Sequence, residues 1–181
     1  ADAAAGIPPM VQGIFGTEFF KYFIYSDSTW RYVGYDLSRA ARDGAKVDAI
    51  VSATNADLSA FHARGGKLIL AHGWSDPALN PRATIEYFKA VQTRTPQAST
   101  FTRLFMMPGM LHCGGGSGCD EADWEGTIRA WVEKGDAPST IIAKKMRGKQ
   151  TVRTHPLCAY PMTARYNGTG KTDDAASFTC R

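Results

Sequence analysis

Residues 67–72 (Lys-Leu-Ile-Leu-Ala-His) form a short apolar run with glycines on both sides, as a buried parallel strand requires. Asn80-Pro81 then opens a helix, with Ile85, Phe88 and Val91 recurring on one face. Residues 100–107 give a second strand, which Pro108-Gly109 ends. A further helix occupies residues 123–134, its apolar side carrying Trp124, Ile128, Trp131 and Val132, and Gly135 follows as its stop. Strand, helix, strand, helix is one βαβα unit of a parallel α/β sheet. Two strands do not make a stable sheet, so its remaining strands are expected from another part of the protein.

The flanking regions read differently. Residues 15–35 are dense in aromatics, among them Phe19, Phe20, Tyr25, Trp30 and Tyr35, with poor periodicity. Such a segment needs something to bury against, and it reads as a cover or lid. Residues 36–46 carry a short helical pattern that Gly44 weakens at its end. Asn55 or Asp57 caps another short helix, stopped by Gly65-Gly66. The tail over residues 151–181 reads as loop-rich.

The 181 residues suffice for one domain with a core, and 44% hydrophobic with 21% charged residues excludes disorder. A net charge of +4 without a basic run argues against a nucleic-acid surface, and Lys144, Lys145, Arg147 and Lys149 read as a solvated stretch. No apolar run reaches bilayer length. Residues 1–6 lack the character of a signal peptide, so an export signal is expected to have been removed or to lie upstream. The cysteines, Cys113, Cys119, Cys158 and Cys180, form no CxxC pair, and no zinc, redox or other metal site is read here. Asn167-Gly168-Thr169 is a glycosylation sequon; with the cysteines it leans toward an oxidising compartment.

Chemistry in a doubly wound sheet sits on loops after the carboxyl ends of strands. The first such loop carries His72-Gly73-Trp74-Ser75-Asp76-Pro77, and the second Pro108-Gly109-Met110-Leu111-His112-Cys113-Gly114. Acid then histidine is the order of the last two members of an α/β-hydrolase triad. A hydroxyl attacks only if an imidazole takes its proton, and a carboxylate must orient that imidazole. Taken singly, Asp76 reads equally as a turn acid before Pro77, and His112 as a structural loop histidine. No Gly-x-Ser-x-Gly occurs; Ser117 has the wrong spacing and follows the histidine loop, so it is rejected as nucleophile. The glycine run at residues 114–116 lacks the lysine of a phosphate-binding loop.

These two loop motifs, preceded by Gly65-Gly66-Lys67-Leu68 and followed by Pro156-Leu157-Cys158-Ala159-Tyr160-Pro161, Asp173-Asp174 and Cys180, resemble the C-terminal half of the tannase/feruloyl esterase family from about Asn55 onward. The resemblance implies an α/β-hydrolase sheet, its C-terminal part in residues 51–181 and the end of an inserted lid in residues 1–50. It implies Asp76 as triad acid and His112 as general base of a serine esterase hydrolysing galloyl, feruloyl or related aromatic esters. It matches Cys113 to a cysteine that bonds another directly before the nucleophilic serine, and pairs Cys158 with Cys180. The serine, its neighbouring cysteine and the oxyanion-hole donors are absent, so an N-terminal portion of the same precursor, disulfide-linked through Cys113, is the implied partner. Cys119 has no assigned partner. The family's lid usually holds calcium, whose ligands are not placed in this chain; no cofactor is assigned to the chain itself. Trp74 and Leu79 are candidates for the acyl pocket, with a core role as the alternative. The implied location is secreted or periplasmic. The competing functional reading is a non-catalytic module that binds carbohydrate or polyphenol; it requires cysteines satisfied within the chain.

Overall fold

The structure is a computed structural model that describes residues 11–181. The reading of residues 1–6 and the first part of the proposed lid segment lie outside the described residues. The chain divides into two compact units at Thr54/Asn55.

In the first unit α1 (Val11–Phe19) passes into a wider turn, Phe20–Ile24, closed by the Tyr25 amide on the Phe20 carbonyl. Glu18 falls within the arc of Val11, Ile14, Phe15 and Phe19, and Gly13 and Gly16 break up the polar side, so the helical period of α1 is weak in the sequence. A 3-10 turn, Leu37–Arg39, leads into α2 (Ala40–Val51). Gly44 lies inside α2, so the helix outlasts its sequence-predicted end. Phe20, Tyr25, Trp30 and Tyr35 stack on one another, and both tyrosine hydroxyls donate to Asp43. None of residues 11–54 is fully buried, and Phe15, Tyr22, Phe23 and Val33 are exposed.

In the second unit α3 (Ser59–Ala63) is followed by β1 (Leu68–Gly73), α4 (Pro81–Arg94), β2 (Thr102–Met107) and α5 (Trp124–Lys134). Asn80 caps α4 through the Arg82 amide, and Asp123 caps α5 through the Gly126 amide. Gly135 ends α5 in the left-handed region, which glycine enters without steric cost. Ile85, Phe88 and Val91 are buried as their spacing predicts. On α5 Trp131 is buried but Val132 is 59% exposed, so the packed face is narrower than the sequence pattern.

Strands β1 and β2 are parallel and in register from Leu68↔Thr102 to Gly73↔Met107. Their carboxyl ends therefore lie side by side, and the loops that follow begin next to one another. Phe105 and Leu104 are completely buried; a side chain of this size contributes about 1.5–3 kcal/mol on burial. Phe105 joins Met107, Met110, Ile141, Ala143 and Leu157 in one core cluster.

The tail is not loop-rich. β3 (Thr140–Arg147) and β4 (Gln150–Cys158) form an antiparallel hairpin, and β5 (Ala164–Tyr166) pairs with β6 (Phe178–Cys180). The basic stretch lies largely on β3, where Ile141 and Ala143 face the core and Ile142 and Lys144 face outward. Just beyond β4, Ala159 bridges Phe105 and the Tyr160 amide donates to the Leu104 carbonyl, so the tail covers part of the outer edge of β2. The sulfurs of Cys158 and Cys180 are bonded; these are the two cysteines that the family resemblance pairs.

Candidate active site

The loop after β1 and the loop after β2 are stitched together through backbone. The Trp74 amide donates to the Met107 carbonyl at 2.9 Å and the Ser75 amide to the Met110 carbonyl at 3.0 Å. The glycine run folds back on the same loop: Met110 bridges Gly116, and the Gly115 amide donates to the Asp120 carboxylate at 2.6 Å. This gives the run a local structural task, shaping the loop that presents His112.

Asp76 and His112 meet across that junction. His112 Nδ1 donates to Asp76 Oδ2 at 2.8 Å. The Asp76 side chain is 1% exposed, whereas that of His112 is 49% exposed. Asp76 Oδ1 accepts the amides of Ala78 and Leu79 at 2.7 and 2.9 Å. Burial pushes the Asp76 carboxyl up, but the His112 hydrogen bond and the Leu79 and Ala78 amides outweigh it and hold the group well below the usual carboxylate range. The result is an ionised, fully hydrogen-bonded carboxylate behind an imidazole whose other nitrogen, Nε2, has no partner among the described residues. Chemically, such a pair takes up and returns a proton at Nε2 while the carboxylate stabilises the cation.

A second histidine, to which the sequence reading gave no role, also reaches this carboxylate. His72 Nε2 lies 3.0 Å from Asp76 Oδ2, and its Nδ1 lies 2.6 Å from Thr84 Oγ1. Inside an apolar run a lone histidine reads as a strand residue. Its i,i+4 spacing to Asp76 was the available signal, but that spacing has meaning on a helix and not at a strand end.

The chain matches the model of a known family, "Tannase and feruloyl esterase", over residues 7–181. The chain belongs to the tannase and feruloyl esterase family. It is 45% identical over 131 residues to a mono(2-hydroxyethyl) terephthalate hydrolase of Piscinibacter sakaiensis, a match covering 71% of this chain and 22% of that protein. It is 34% identical over 191 residues to a probable feruloyl esterase of Arthroderma benhamiae, covering 97% of this chain and 34% of the relative. The crystal structure of feruloyl esterase B from Aspergillus oryzae superposes with a TM-score of 0.82 at 25% identity, over 91% of this chain and 37% of that one. The fold is thus that of an α/β-hydrolase, and the chain spans well under half the length of these relatives.

In this tannase/feruloyl esterase chain Cys113 follows His112 directly and is exposed and unbonded, while Cys119 is buried and unbonded. Trp74 and Leu79 flank the Asp76 loop and are 44% and 53% exposed. Ser117 is exposed, its carbonyl accepting from Arg153. Asn167 is exposed, with its side chain accepting the Thr179 hydroxyl. Among the described residues no group of three or more His, Cys, Asp or Glu side chains is arranged to hold a metal. No described helix is long and apolar enough to cross a membrane.

Proposed function

We propose that this chain contributes the acid, Asp76, and the general base, His112, of a Ser–Asp–His triad in an enzyme that hydrolyses aromatic carboxylic esters. The observation that carries the reading is the 2.8 Å contact between a buried carboxylate and a half-exposed imidazole at two adjacent strand ends. His112 Nε2 takes the proton of a serine hydroxyl carried on the remaining portion of the enzyme, and the serine oxygen attacks the ester carbonyl. His112 then returns the proton to the departing alcohol, leaving an acyl-enzyme. Water attacks that acyl group by the same route and releases the aromatic acid. Asp76 keeps Nδ1 protonated throughout and stabilises the imidazolium.

The relatives' names, a feruloyl esterase and a terephthalate monoester hydrolase, support aromatic acyl groups as the substrate class. Exposed Trp74 and Leu79 beside Asp76 suit the wall of an acyl pocket. The exposed, unbonded Cys113 suits a bond to a cysteine of the serine-bearing portion, and such a bond together with Cys158–Cys180 supports secretion. The unit ending at Thr54, with its exposed aromatics, suits the end of a lid. A stand-alone binding module requires internally satisfied cysteines; the unbonded Cys113 and Cys119 count against it. An active-site phosphonate applied to the complete enzyme tests the reading. A serine outside this chain is labelled in the wild type and not in His112→Ala; equal labelling of both would refute it.

A further inference from the structure

His112 is one of two rings bound to Asp76, and the second is tied down from behind. His72, at the end of β1, and His112, after β2, converge on the same oxygen, Oδ2, at 3.0 and 2.8 Å. An ionised carboxylate only accepts, so the His72 nitrogen facing it carries a proton. In the neutral ring this leaves Nδ1 as acceptor, and the Thr84 hydroxyl on the first turn of α4 is 2.6 Å away to donate. The His72 side chain is 11% exposed. A polar ring at this depth is retained without penalty only when both nitrogens are matched, and here both are.

We propose that His72 and Thr84 are positioning residues for the acid. The Asp76 carboxylate sets the His72 tautomer, the Thr84 hydroxyl anchors the ring at Nδ1, and the His72 Nε2–H holds Oδ2 in the plane where it receives His112. This rests on the reading of Asp76 and His112 as triad members. The Ala78 and Leu79 amides fix only Oδ1; with His72 removed, Oδ2 has one donor left, and that donor is the ring it is meant to orient. His72 acts through Asp76. Its effect therefore falls on the step in which charge develops on His112 and not on binding of the ester.

The test is steady-state kinetics of the complete enzyme on methyl ferulate and methyl gallate, for His72→Phe, His72→Gln, Thr84→Val and His72→Gln/Thr84→Val. His72→Phe lowers kcat about 10- to 100-fold, the range for outer partners that orient a functional ligand. KM stays within about twofold, because ground-state binding is untouched. His72→Gln recovers most of the loss, since an amide N–H still reaches the carboxylate. Thr84→Val lowers kcat in the wild type but adds nothing to His72→Gln, because an amide whose N–H takes the place of Nε2 has no acceptor at the Nδ1 position for Thr84 to anchor. Wild-type kcat in His72→Phe, or a Thr84→Val effect undiminished in the His72→Gln background, would overturn the proposal. If His72→Phe does not fold, the Thr84→Val comparison alone decides. Asp76→Asn and His112→Ala run in parallel separate the two claims: their inactivity beside a fully active His72→Phe removes the positioning role alone, whereas their activity removes the triad reading.

Discussion

Gly73 and Met110 touch backbone to backbone: a Cβ on Gly73 would sit against the carbonyl groups of Met110 and Leu111. The contact joins the last residue of β1 to the loop that carries His112, and backbone cannot move aside as a flexible side chain does. Gly73→Ala is therefore expected to destabilise by about 1–3 kcal/mol. It is also expected to push the histidine loop away from Asp76. A displacement of the order of 1 Å at a catalytic group costs about 100-fold in rate. Denaturant unfolding and kcat on the same sample check both; a stable, fully active variant would show that the loops do not depend on this approach.

The pH response of Asp76 has a defined sign. Its carboxyl is held below its unfolded-state value of about 3.9. The resulting stabilisation is complete above that value and is lost as pH falls through the folded-state value. The contribution of this carboxylate to the stability gap between wild type and Asp76→Asn is expected to shrink progressively below about pH 4. Urea unfolding at a series of pH values measures it, and a gap unchanged down to the lowest accessible pH would contradict the ionised carboxylate.

The Cys158–Cys180 bond closes the end of β4 onto β6 across a separation of 22 residues. Replacing both by Ala is expected to lower unfolding free energy by about 3 kcal/mol in the chain-entropy model. Because the bond lies in the tail hairpins and not in the β1 or β2 loops, kcat of the folded variant stays within about twofold of wild type. Equal stability of the bonded and substituted proteins would show that β5–β6 holds without it.

The central βαβα unit was legible because its period, caps and breakers agree: Ile85, Phe88 and Val91 bury together, Asn80 and Asp123 cap, and Gly135 stops. Asp76 and His112 were placed by their positions after two strands, which the parallel register brings side by side. The β3–β4 hairpin was not legible. Lys144, Lys145 and Arg147 disguise a strand whose inward residues are only Ile141 and Ala143 before the register shifts at Lys145/Met146. Pro156 argues against a strand, yet it sits near the end of β4 beside fully paired neighbours. The link between His72 and Thr84 was invisible for another reason. It depends on how α4 docks on β1, and no local pattern in the sequence encodes that docking.

The proposed triad depends on the Asp76–His112 hydrogen bond being part of the reaction centre. Its most direct measurement is kcat for methyl ferulate hydrolysis by the complete enzyme carrying Asp76→Asn or His112→Ala. Losses of about 10⁴-fold or more in each are predicted. Turnover near the wild-type rate in either variant would contradict it.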